Sequence, residues 1–73
     1  MRVSRRLLEN MARRIMLSYP IGDIEIQQHG QNGQNKFTLF LDESVALARR
    51  PSREVYVYLE GLSNGLARGG NDE

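Results

Sequence analysis

The chain has 73 residues, 40% of them hydrophobic, and its ten Lys and Arg residues against nine Asp and Glu residues give a net charge of +1. This length allows one domain with a small core, and a sequence without Cys excludes disulfides and the usual zinc sites. No apolar run approaches the roughly 18 residues that cross a bilayer, and no signal-peptide pattern is present. We therefore expect a cytoplasmic protein without membrane contact, whose small core favours association with another copy or a partner.

The first predicted element is a helix from Arg5 to about Tyr19. Ser4 suits its N-cap, because the hydroxyl can accept a hydrogen bond from a free backbone N–H, and Pro20 ends it. Glu9 and Arg13 lie four residues apart in the order that favours an ion pair. The apolar residues gather into one stripe that leaves out Leu17: Leu7, Leu8, Met11, Ala12, Ile15, Met16 and Tyr19.

A β-hairpin is predicted next. Ile24–Gln27 alternates between apolar and polar residues, and Lys36–Leu41 provides a second strand. The Gly- and Asn-rich segment 29–35 between them is typical of a hairpin loop. Phe40 falls on the face opposite Phe37 and Leu39, so it needs cover of its own.

The segment 45–50 is compatible with a short helix, a third strand or a loop, and we favour a short helix ended by Pro51. Residues 55–58 have the composition of a strand, but a helical stripe continues to Leu66 and Ser52 suits an N-cap, so we predict a helix over 53–67. Gly61 and Gly65 oppose it by about 1 kcal/mol each. A helix that ends near 62, followed by a turn at 64–65, is the alternative.

These elements predict an α+β fold of αββα order. A single domain covers residues 1–68, and residues 69–73 form a flexible acidic tail. Both helices are expected to pack on one face of the hairpin through a core of Leu7, Met11, Ile15, Ile24, Ile26, Phe37, Leu39, Leu41, Leu59, Leu62 and Leu66.

Catalytic chemistry has little support. His29, the one imidazole, lies beside a glycine in the hairpin loop, where we expect it to face solvent. No motif places a nucleophile beside it, no glycine-rich loop opens a helix, and one His without Cys cannot make a usual zinc set. We therefore expect no enzymatic activity, no cofactor and no metal.

Arginine supplies nearly all of the positive charge, and its fork of donors suits phosphate and carboxylate groups. These side chains either form an anion-recognition surface or are ordinary solvated helix faces. Tyr56 would add a stacking and hydrogen-bonding side chain at the rim of that surface. The candidate anion or partner-binding residues are Arg6, Arg13, Arg49, Arg50, Arg53 and Tyr56.

Val57, Gly61 and Gly65 lie on a side of the last predicted helix distinct from most of its leucines. Glycines four residues apart permit close backbone approach of another helix. We predict that these three residues form an oligomer interface, and that the protein is a homodimer or a higher oligomer.

No motif identifies a family. The α-β-β-α order resembles the outline of the double-stranded-RNA-binding domain, in which the last helix begins with a Lys-rich segment; Arg49, Arg50 and Arg53 stand there in this chain. In size the chain is similar to the small accessory and inhibitor proteins of phages and mobile elements. We expect a non-enzymatic inhibitor or adaptor that occupies a protein or sequesters a nucleotide-type anion. The alternative is a nucleic-acid-binding accessory protein.

Overall fold

A computed structural model describes residues 3–30 and 36–69. The elements are α1 (Arg5–Ser18), β1 (Ile24–His29), β2 (Lys36–Leu41), β3 (Ser44–Pro51) and α2 (Ser52–Gly69). The strands form one antiparallel sheet in the order β1-β2-β3. The α+β class and the antiparallel hairpin of β1 and β2 are confirmed. The predicted two-stranded sheet is wrong, because the segment 45–50, expected to be a short helix, is a third strand. The predicted loop positions 31–35 and, apart from Gly69, the predicted tail lie outside the described residues.

Ser4 before the first turn and Pro20 after Tyr19 explain where α1 begins and ends. The Ser4 hydroxyl accepts a hydrogen bond from the Leu7 N–H at 3.2 Å, as a helix N-cap does. Leu17 is 81% exposed, as its position outside the apolar stripe predicts. The prediction of Leu7 as a core residue is wrong, because Leu8, one position on, is the fully buried side chain and Leu7 is only half-buried.

The turn between β2 and β3 consists of Asp42 and Glu43, whose φ angles are +51° and +73°. Positive φ at both central residues is the turn geometry that matches the twist of two antiparallel strands. The Asp42 N–H also donates to the carbonyl oxygen of Asp23 at 2.7 Å, which ties this turn to the start of β1. β3 therefore folds back beside β2 instead of continuing as a helix.

The helix α2 continues for 18 residues, through both Gly61 and Gly65. The alternative of a helix that ends near residue 62 is therefore wrong. Val55 and Leu59 are fully buried, and Leu62 is half-buried farther along the same stripe. Burial of this stripe against the sheet stabilises the helix enough to offset the low helix propensity of the glycines.

Both helices pack on the same face of the sheet, because residues from α1, α2 and all three strands share one apolar cluster. Its buried members are Leu8, Ala12, Ile15, Ile24, Phe37, Leu39, Val55 and Leu59. On the opposite face, Phe40 is half-buried outside this cluster and pairs across strands with Val45, which is 57% exposed.

The topology places both helix N-termini at one end of the sheet. Arg5, in the first turn of α1, reaches Gln28 near the end of β1 at 3.5 Å. α2 begins where β3 ends, at Pro51, which is paired with Lys36 of β2. The other end carries the start of β1 and the turn at Asp42.

Candidate anion-binding end and partner-contact surfaces

A buried hydroxyl organises the end of β3. Thr38 is only 8% exposed although it lies on the face away from the helices. Its Oγ1 accepts a hydrogen bond from the Arg49 N–H at 3.2 Å and lies 2.8 Å from Nε2 of His29. Arg49 has a φ of +49° and lies where the β2–β3 register shifts between Phe37 and Leu39. Thr38 therefore holds the bulge from which the arginines at the end of β3 project.

Cationic side chains gather at the end of the sheet where both helices begin. Arg49, Arg50 and Arg53 are exposed around the junction of β3 and α2. Arg5 lies at the same end of the sheet. Arg50 is paired with Phe37 of β2, Phe37 is paired with Gln28 of β1, and Arg5 contacts Gln28. We call this the basic end, and it comprises Arg5, Arg6, Lys36, Arg49, Arg50 and Arg53.

Two carboxylates partly offset this charge. Glu9 Oε2 accepts a hydrogen bond from Arg5 Nε at 2.9 Å, and Glu54 Oε1 lies 3.7 Å from Arg50 Nη1. Both pairs are about half exposed, so they contribute little to stability. A bound phosphate can therefore replace the carboxylate at either arginine at small cost.

Arg13 lies apart from the basic end. It lines a shallow groove between α1 and the outer edge of β1, together with Glu9 and Ile26. The predicted Glu9–Arg13 ion pair is wrong: Glu9 pairs with Arg5 instead, and Arg13 has no ion pair with any residue of 3–30 or 36–69. Arg14, the next residue, lines a different groove between α1 and α2.

The predicted oligomer-interface residues lie together on the outer side of α2. Val57 is 60% exposed, and Gly61 and Gly65 are exposed one and two turns farther on. A Cβ atom added at either glycine would meet nothing within 4 Å. Packing within the chain therefore requires neither glycine. Tyr56, beside this surface, is half-buried and packs partly against the core.

Sequence reasoning missed Thr38, Arg5 and Lys36. Thr38 was detectable as a polar residue inside an otherwise apolar strand. Arg5 and Lys36 join the basic end only through strand register and helix direction, which no local pattern encodes. Among the described residues, no group of three or more His, Asp or Glu side chains is placed to hold a metal ion.

No helix in the described part of the chain is long and apolar enough to cross a membrane. Comparison with protein-family models, with curated proteins and with solved structures finds no match to this chain.

Proposed function

We propose that this chain is a small non-enzymatic binding protein of the cytoplasm that acts as a homo-oligomer and occupies the phosphate backbone of a nucleic acid through its basic end. The observation that carries the proposal is the collection of six cationic side chains, from three separate parts of the sequence, at one end of the fold.

The chemistry of this end favours phosphate groups. Arginine binds phosphate oxygens through two parallel hydrogen bonds. The N-termini of α1 and α2 lie at the same end and add free backbone N–H groups and a favourable dipole for anions. The α-β-β-β-α order, with both helices on one face, also supports the resemblance to the double-stranded-RNA-binding domain, a module that reads duplex shape and backbone.

The test is a charge reversal at the basic end. We expect Arg50→Glu combined with Arg53→Glu to abolish binding to mixed-sequence duplex RNA, measured by fluorescence anisotropy at about 150 mM salt. Affinity of the unaltered chain should fall steeply with added salt, because each phosphate contact releases counterions. Both arginines are exposed, so the circular dichroism spectrum should stay unchanged.

The matched control is Arg14→Glu combined with Arg68→Glu, which changes the net charge equally at exposed sites outside the basic end. We expect it to retain most of the affinity. Equal losses in the two double variants would assign the binding to net charge and not to the basic end. Duplex DNA and single-stranded RNA, tested in parallel, determine which nucleic acid is preferred.

The outer side of α2 favours a second candidate function, that of an inhibitor or adaptor that occupies a protein partner. Val57 is exposed beside two glycines that leave open space, which suits close packing of a partner helix. In that case, Gly61→Leu would abolish inhibition or partner capture, and the charge reversals at Arg50 and Arg53 would leave it intact.

A further inference from the structure

The outer edge of β1 has unpaired backbone groups. The Ile24 N–H donates to the sulfur of Met16 at 3.2 Å, so it points away from β2. Because backbone groups alternate along a strand, those of Ile26 and Gln28 also point outward. No described residue forms a backbone hydrogen bond with them there. β1 keeps an unbroken register with β2 over six residues, so this edge is straight enough to accept another strand.

The other edge of the sheet is protected. β3 contains two register shifts, a residue of positive φ at Arg49, and Pro51 at its end. Bulges, arginine charges and proline are the features with which proteins prevent edge pairing. Between Ile24 and His29, β1 has no bulge and no proline, and Glu25 is its one charged residue, so this edge is much less protected than that of β3.

We propose that β1 pairs antiparallel with β1 of a second copy, about a two-fold axis at Ile26, to make one continuous six-stranded sheet. This inference rests on the proposed self-association and specifies its surface. The outward-facing residues dictate the register, since Ile26 pairs with Ile26 of the second copy and Ile24 lies opposite Gln28. The Ile24 N–H keeps its bond to Met16, so this outer pair forms one hydrogen bond, from the Gln28 N–H of one copy to the Ile24 carbonyl oxygen of the other. Glu25 then faces Gln27 of the second copy, so no like charges oppose one another.

Charged side chains on α1 also favour this two-fold arrangement of two copies. Arg5 lies beside Gln28 and Met16 beside Ile24, so α1 runs antiparallel to β1 and its middle lies over Ile26. The two copies of α1 therefore run antiparallel on one face, centred near residues 10–11. This arrangement sets Glu9 of each copy toward Arg13 of the other, and both side chains line the groove along β1.

The first experiment measures the mass of the full chain at micromolar concentration by light scattering after size exclusion. We expect twice 8.4 kDa. Arg13→Glu should weaken dimerisation by about tenfold or more, because it opposes two carboxylates across the axis. The matched control Arg14→Glu, one residue on, should leave it unchanged. The exchanged pair, Glu9→Arg with Arg13→Glu, should restore the dimer.

The second experiment locates the interface by amide hydrogen exchange. We expect the Ile26 and Gln28 amides to be protected in the dimer and to lose protection on dilution. Gln28→Pro should give a folded monomer, because within the chain it removes only an outward N–H and the exposed hydrogen bond from Arg5 to the Gln28 side chain. A dimer in which both amides exchange freely would overturn the β1 pairing while leaving self-association intact. A monomer at every concentration would overturn both the β1 pairing and self-association. The Arg50→Glu, Arg53→Glu variant, which should lose nucleic-acid binding, is expected to remain dimeric, so dimerisation and nucleic-acid binding are tested independently.

Discussion

At the scale of single residues, Thr38 shows how one hydroxyl fixes a surface. The side chain is buried, and its two partly buried partners, the Arg49 N–H and the His29 ring, lie within hydrogen-bonding distance. Removal of the hydroxyl leaves the Arg49 N–H, in a partly buried position, without its partner, which costs more than the bond itself contributes. The bulge at Arg49 therefore depends on a residue that carries no charge.

Thr38→Val tests this dependence. Valine keeps the shape and removes the hydroxyl, so we expect a loss of about 1–3 kcal/mol in the free energy of unfolding, measured by urea denaturation. Thr38→Ser keeps the hydroxyl and should retain more of the stability. If the valine variant were as stable as the unaltered chain, the hydroxyl would have no part in holding the bulge.

A second residue-scale prediction concerns the core. Leu59 has no exposed surface, whereas Leu62 is half-buried. We expect Leu59→Ala to cost about 2–5 kcal/mol, a large share of the roughly 5–15 kcal/mol of a typical domain, and Leu62→Ala to cost less. Leu17→Ala, at an 81% exposed site, is the control and should shift the urea midpoint little. Equal midpoint shifts for Leu17 and Leu59 would contradict the packing.

At the scale of elements, the sequence predicts what depends on short-range order. The Ser4 cap, the apolar stripe and Pro20 are local, and α1 follows from them. The sequence leaves β3 only as an alternative to a short helix, because its two bulges break the alternation of a strand and because Asp42 and Glu43 adopt positive φ without glycine. The cluster of Arg49, Arg50 and Arg53 was visible in the sequence, whereas its continuation to Arg5 depends on strand register.

The glycines of α2 give a prediction at this scale. Gly61→Ala adds a methyl group in open space, so we expect the helix to gain up to about 1 kcal/mol in stability. Gly22→Ala is the opposing control, because Gly22 has a φ of +89° and a Cβ there would lie 3.1 Å from Asp42. Thermal melts of both variants measure the difference. A destabilised Gly61→Ala variant would show that another copy or partner packs on the glycine.

At the scale of the whole molecule, a net charge of only +1 conceals a strong separation of charge. The basic end lies opposite Asp23, Asp42 and Glu43, which cluster where β1 begins and β2 turns into β3. A polyanion that approaches this molecule is attracted to one end and repelled by the other. Net charge alone therefore understates the capacity of the chain to orient on an anionic partner.

The difference between the two sheet edges also limits how far the chain can assemble. In the proposed pairing through β1, only the bulged β3 strands would remain as outer edges, and their irregular register disfavours pairing with a further strand. Edge-to-edge growth then ends at two copies, whereas a sheet with two regular edges could polymerise into a filament. If the proposed dimer forms, we therefore expect a higher protein concentration to increase the fraction of dimer and to give no longer assembly, because the irregular third strand blocks further pairing.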